Sequence, residues 1–221
     1  MTDTRLQRLN MVESQVRPSD VTDRHILKAM LEVPRERFVP PSLGALAYMD
    51  DALPVNAPGS PARHLLAPRT FAKLVQLAEI DPEATVLDIG CATGYSTAVL
   101  AQLATRVIAL ECDKTLAETA RRVLAEQGVA NVSVLFGRLS DGAPAEGPFD
   151  AILLNGSAEI ISPAFFEQLK DRGRLVAIAR DGLLCRAQVW QRVGNVFDPR
   201  SAFEAGAALL PGFERPKAFI F

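Results

Sequence analysis

The chain predicts an α/β fold: a mostly parallel sheet covered by helices on both faces, with an antiparallel edge. Three observations predict it. From residue 85 onward, short apolar runs at 85–89, 106–111, 132–136, 149–154 and 173–178 alternate with helical patterns, which is how parallel strands joined by crossover helices are written. The first run ends in two closely spaced glycines, Gly90 and Gly94, directly before a helix. The tail then changes character: 184–193 and 217–221 read as strands with no comparable helix between them, which suits an antiparallel edge.

A length of 221 residues fits one enlarged domain better than two. We expect a single compact unit built from an N-terminal helical extension with a loop, 1–67, and a sheet-bearing part, 68–221. Lys plus Arg number 24 against 26 Asp plus Glu, a net charge of -2. Phosphate backbones need a concentrated basic footprint, so nucleic acid is not an expected partner. Three cysteines and two histidines, His25 and His64, give neither a disulfide framework nor a metal spacing. The N-terminus is polar and no run of about 18 apolar residues occurs. The expected setting is the cytoplasm, away from the membrane.

In chain order, Asp20 or Thr22 is the expected N-cap of a helix whose apolar positions are Ile26, Leu27, Met30 and Leu31, and Pro34 stops it. Residues 40–61 are proline-rich and read as a long loop. Pro68 suits a first helical turn, followed by the stripe Phe71, Leu74, Val75 and Ala78. A helix is expected over 96–104. Another carries Leu116, Ala120, Val123 and Leu124 and is closed by Gly128; a third lies at 164–170.

The segment Asp88-Ile89-Gly90-Cys91-Ala92-Thr93-Gly94 carries the chemistry. A strand running into glycines and then a helix brings backbone N–H groups close to a ligand. A dinucleotide fingerprint has three glycines in the pattern Gly-x-Gly-x-x-Gly, and here the middle one is missing. Asp88 before the turn would repel a pyrophosphate and can face an ammonium group. Glu111 ends the next strand, 21 residues after Gly90, where an acid can accept from both hydroxyls of a ribose. A cationic amino acid end, a ribose and no phosphate describe S-adenosyl-L-methionine. The expected cofactor residues are therefore Asp88, Gly90, Cys91, Ala92, Gly94, Glu111 and Cys112, with Gly137, Arg138 and Leu139 where an adenine would lie.

Several blocks along the chain, in order, resemble the protein-L-isoaspartate O-methyltransferases. They are Met11-Val12, Ile26-Leu27-Lys28-Ala29-Met30, Val33-Pro34-Arg35-Glu36-Arg37-Phe38-Val39-Pro40, Ala47-Tyr48-Met49-Asp50, Leu53-Pro54-Val55, Phe149-Asp150-Ala151-Ile152, Gln168-Leu169-Lys170 and Gly173-Arg174-Leu175-Val176. The resemblance implies the Rossmann-like class I methyltransferase fold, with a seven-stranded sheet whose last strand pair is reversed. It also implies methyl transfer from S-adenosyl-L-methionine to the carboxylate of damaged L-isoaspartyl residues, a protein repair. The partner would be a protein or peptide substrate.

Two departures bear on that expectation. The family's substrate loop runs Leu-Pro-Ile-Gly-x-Gly-Gln-Thr-Ile-Ser-x-Pro, and the interval 53–68 here is four residues longer. Counted back from Pro68, Arg63, His64 and Leu66 stand where Gln, Thr and the active-site Ser would be, unless Ser60 substitutes. Arg138 stands where the family has an acid that accepts from the adenine amino group, which an arginine cannot do. Arg63 and His64 are thus the candidate catalytic residues. A small-molecule carboxylate is an alternative substrate, and a cofactor-binding protein without isoaspartyl activity is a further alternative. Cys91 and Cys112 read as small packing residues.

Overall fold

The computed structural model describes residues 4–56 and 62–216. The strand expected at 217–221 and Ser60 lie outside the described residues. Helix α1 (Thr4–Met11) runs into a π-helical turn, Val12–Val16, and α2 spans Arg24–Glu32. The N-cap of α2 is Asp23, whose carboxylate accepts from the backbone N–H of His25 at 2.8 Å. Asp20 does not cap it: its backbone is left-handed, φ 64°, and ends the preceding turn. The helix stops at Val33, held extended by Pro34 as residues before proline are. Part of the interval read as loop is ordered as a short antiparallel ladder. Strand β1 (Leu53–Pro54) pairs with β2 (His64–Leu65), Leu53 opposite Leu65 and Pro54 opposite His64.

Then follow α3 (Pro68–Ala78), β3 (Thr85–Ile89), α4 (Tyr95–Ala101), β4 (Arg106–Glu111), α5 (Lys114–Glu126) and β5 (Val132–Phe136). The chain continues with β6 (Phe149–Ala158), α6 (Ala164–Glu167), β7 (Leu169–Asp181), β8 (Leu184–Val193) and β9 (Val196–Glu204). The large sheet has seven strands in the order β5-β4-β3-β6-β7-β8-β9. Its first five strands are parallel, β8 turns back against β7, and β9 turns back against β8.

One boundary is corrected and one strand is added. The helix expected to reach residue 170 ends at Glu167, because Leu169 already pairs with Phe149. The outer strand is β9, joined to β8 by a turn at Gly194, φ 61°. Its sequence hides this: Asp198, Pro199 and Arg200 break the apolar alternation, as edge strands do. The two-residue Gly194-Asn195 link was the available signal.

Strand alternation separates two cores. Val86, Val107, Ala109, Ala151, Leu153 and Val176 face the side that packs with Met11, Met30, Leu74, Val99 and Leu124. Leu87, Ile89, Ile108, Ile152 and Leu175 face the other side, covered by Phe165, Leu210 and Phe213. Helices α1 to α5 thus crowd one face, while the other is closed by the short α6 and the segment after β9. Helices on both faces were expected, and both faces carry them, unequally. The strand order explains the asymmetry: β3 to β5 advance toward one edge, which puts right-handed crossovers α4 and α5 on one face. The step back to β6 and outward puts α6 on the other. Between β3 and β6 lies the switch point, where ligands of open α/β sheets bind at the carboxyl ends of strands. Among the described residues, no helix is long and apolar enough to cross a membrane.

Candidate active site

The turn after β3 is held by three left-handed residues, Gly90 (φ 75°), Ala92 (φ 52°) and Gly94 (φ 95°). Gly90 N–H donates to the Leu110 carbonyl at 2.8 Å and Gly94 N–H to that of Cys91 at 2.8 Å. The two glycines do different work. A Cβ on Gly94 would lie 3.2 Å from Leu124 and 3.3 Å from Ala120, so Gly94 lets α5 approach the turn. A Cβ on Gly90 would lie 2.7 Å from the Arg63 guanidinium and 3.0 Å from Leu210. The space beside Gly90 is therefore filled by the chain itself.

Asp88 is fully buried at the end of β3. One carboxylate oxygen accepts from Ser96 Oγ at 2.8 Å and Thr97 Oγ1 at 2.6 Å, and the other accepts from the Asn155 amide. Burial pushes its carboxyl up to about 6, against the pull of these donors. Sequence reasoning singled out Asp88 but missed Ser96, Thr97 and Asn155. Asn155 carried a signal, a polar side chain late in the apolar strand β6 beside the switch point.

Glu111, at the carboxyl end of β4, is also fully buried. Its Oε1 accepts from Cys112 N–H at 2.9 Å and Asp113 N–H at 3.1 Å, and its Oε2 from Ala92 N–H at 2.7 Å. The same two oxygens receive Arg63, Nε at 3.2 Å on Oε1 and Nη2 at 2.7 Å on Oε2. Arg63 is 3% exposed in its side chain and Glu111 0%, so the pair is out of water. Burial pushes the Arg63 guanidinium down, the charge and hydrogen bonds of Glu111 together with the nearby Cys112 and Cys91 push it up, and the net direction is up. Arg63, expected to meet a substrate, instead meets the residue expected to hold the ribose.

His64 next to it is half-buried, and its Nδ1 is buried with no partner. Burial and the Arg63 charge push its imidazole down, so it is neutral at pH 7. Leu66, where the family has a hydroxyl, is buried, and its carbonyl accepts from Arg35 Nη2 at 2.8 Å. Arg35 is itself fully buried and stacks on Tyr95, 4.7 Å from its centroid. Phe38 packs edge-on against the same ring at 5.8 Å, and its carbonyl accepts from Thr93 Oγ1 at 2.5 Å. The N-terminal extension thereby grips the glycine turn.

Burial raises Cys91 well above a free thiol and Cys112 to about 11, which leaves both thiols protonated. On the expected adenine side, Gly137 N–H donates to the Glu111 carbonyl at 3.0 Å, Leu139 is buried and Arg138 is exposed. The cavity bounded by His64, Leu66, Gly90, Tyr95 and Asn155 holds about 10 Å³, room for a single water where ligand sites take roughly 300–1,000 Å³. A ribose finds neither volume beside Gly90 nor an open acceptor on Glu111, so the site in this arrangement does not fit the cofactor the sequence predicts. A surface hollow of about 820 Å³ lined by Asp141, Gly147, Lys170 and Arg192 lies at the opposite, amino ends of β6 and β7, away from the switch point.

The family model for protein-L-isoaspartate(D-aspartate) O-methyltransferases matches residues 7–197. The protein-L-isoaspartate O-methyltransferase of Opitutus terrae is 40% identical over 170 residues, 77% of this chain and 71% of its own length. That of Herpetosiphon aurantiacus is 36% identical over 199 residues, 86% of this chain and 87% of its own. A solved protein-L-isoaspartate O-methyltransferase superposes with a TM-score of 0.83 at 25% identity, over 93% of this chain and 66% of that one. A Plasmodium falciparum structure assigned to the same enzyme class, in complex with S-adenosyl-L-homocysteine, shares the fold with a TM-score of 0.78 at 18% identity, over 92% of this chain and 97% of that one.

Proposed function

This chain belongs to the protein-L-isoaspartate(D-aspartate) O-methyltransferase family, and we propose from that premise that it is a cytoplasmic S-adenosyl-L-methionine-dependent methyltransferase acting on isoaspartyl carboxylates in proteins and peptides. The observation that carries the reading is the glycine turn of β3 set beside Glu111 of β4, both at the carboxyl end of a sheet of the family's fold. A carboxylate acceptor is ionised at pH 7 and needs no general base. The chain's own task is then to align that carboxylate and exclude water. His64 suits alignment, being neutral, with an unpartnered Nδ1 beside the glycine turn. Leu66 offers no hydroxyl, so turnover should be slow relative to family members that keep the Ser.

Incubation with methyl-labelled donor and a peptide pair, one isoaspartyl and one ordinary aspartyl, tests the assignment. The expected outcome is base-labile label in the isoaspartyl peptide alone. No label in that peptide at saturating donor would remove the isoaspartyl reading.

A further inference from the structure

Glu111 offers two oxygens with about four acceptor positions between them. Five N–H contacts already converge there: the backbone of Ala92, Cys112 and Asp113, and Nε and Nη2 of Arg63. Nothing is left for the two hydroxyls of a ribose. Four of the five participating groups cannot move independently, since the three backbone donors belong to the glycine turn and the start of α5, and Glu111 ends a strand paired on both sides. Arg63 is different. Its backbone is fixed at the end of the β1–β2 ladder, with its carbonyl accepting from Val55 N–H at 2.9 Å and its own N–H donating to Asn56 Oδ1 at 3.1 Å. Its side chain reaches Glu111 from there through rotatable bonds, so it can leave without undoing the hairpin. Leaving also empties the space next to Gly90, where its Nη2 now stands.

We propose that Arg63 is a built-in competitor for the cofactor: its guanidinium occupies the ribose position on Glu111, and cofactor binds only to the fraction of molecules in which Arg63 has swung out. The inference rests on the cofactor assignment proposed above and adds a residue that sets how tightly the cofactor is held. Ligand affinity falls by the fraction of the protein that is competent to bind. If the closed form is 90–99% of the population, removing the competitor tightens binding about 10- to 100-fold. Lysine at this position keeps the charge without the two-pronged geometry and should fall between arginine and an uncharged side chain.

The test is calorimetric titration of the full-length protein with S-adenosyl-L-homocysteine, for the unaltered chain, Arg63→Lys and Arg63→Met. The expected order of affinity is Met over Lys over Arg, with at least about tenfold between the extremes. Equal affinity across the three would overturn the competition and leave the cofactor assignment standing. Absence of binding in all three would remove the cofactor assignment and the competition together. Should Arg63→Met not fold, the unaltered protein still decides, by NMR of its arginine Nε–H groups. The buried Arg63 signal is protected from exchange in the free protein and must lose that protection on saturation with S-adenosyl-L-homocysteine. A signal that stays protected overturns the proposal.

Discussion

Asp88 shows how a buried acid is tuned by where it sits. With no exposure and three side-chain donors, it is held up at about 6, against 3.8 for a free aspartate. The folded chain keeps its proton to a higher pH than the unfolded chain does. Its contribution to stability is therefore fully present below pH 3.8 and is lost as pH rises through 6. A displacement of this size corresponds to roughly 3 kcal/mol. Asp88→Asn removes the titration, keeps an oxygen for Ser96 and Thr97, and leaves the Asn155 amide to turn and present its own oxygen. Urea unfolding of both proteins at pH 4.5 and 7 should show the stability difference shifting toward the variant by about 2 kcal/mol at the higher pH. A pH-independent difference would mean that Asp88 is ionised in both states.

The glycine turn has two functions at the scale of elements, and they separate by position. Gly90 borders the space that Arg63 and Leu210 fill, whereas Gly94 is where α4 starts and α5 crosses. Gly94→Ala combines a left-handed backbone with a Cβ 3.2 Å from Leu124. The two effects together should cost about 2–4 kcal/mol of folding stability. Chemical denaturation measures this directly; a loss below about 1 kcal/mol would show that α5 shifts freely to make room. Gly94 was expected at the cofactor; in the fold its missing Cβ is what lets α5 approach.

At the scale of the whole molecule, the N-terminal extension and the sheet share one core. Met11, Val16 and Met30 pack in the same cluster as Leu74, Val99 and Val176, while Arg35 and Phe38 clamp Tyr95 at the head of α4. We therefore propose that the divisions 1–67 and 68–221 are parts of one folding unit. Trp190, the single tryptophan, reports from β8 at the far side of the sheet, and far-UV circular dichroism reports all helices. Thermal or urea unfolding followed by both probes should give one coincident transition. An earlier transition by circular dichroism would show the extension melting alone.

The sequence by itself determined the parallel strands from 85 onward, the glycine turn at 90 and 94, and the acid at the end of β4. Each is encoded locally, in apolar periodicity, in a backbone angle that few residues adopt, or in a position at a strand end. It left β9 unread because an edge strand with one neighbour has little need of apolar alternation. Only the tertiary structure decided what surrounds the turn. Arg63 meets Glu111 across 48 positions and Asn155 meets Asp88 across 67, while Leu210 arrives at Gly90 from beyond β9. Such contacts are fixed by strand order and by the hand of the crossovers, which bring distant residues to one end of the sheet. A local pattern could place Glu111 where a ribose would be held; only the assembled chain showed a guanidinium already there.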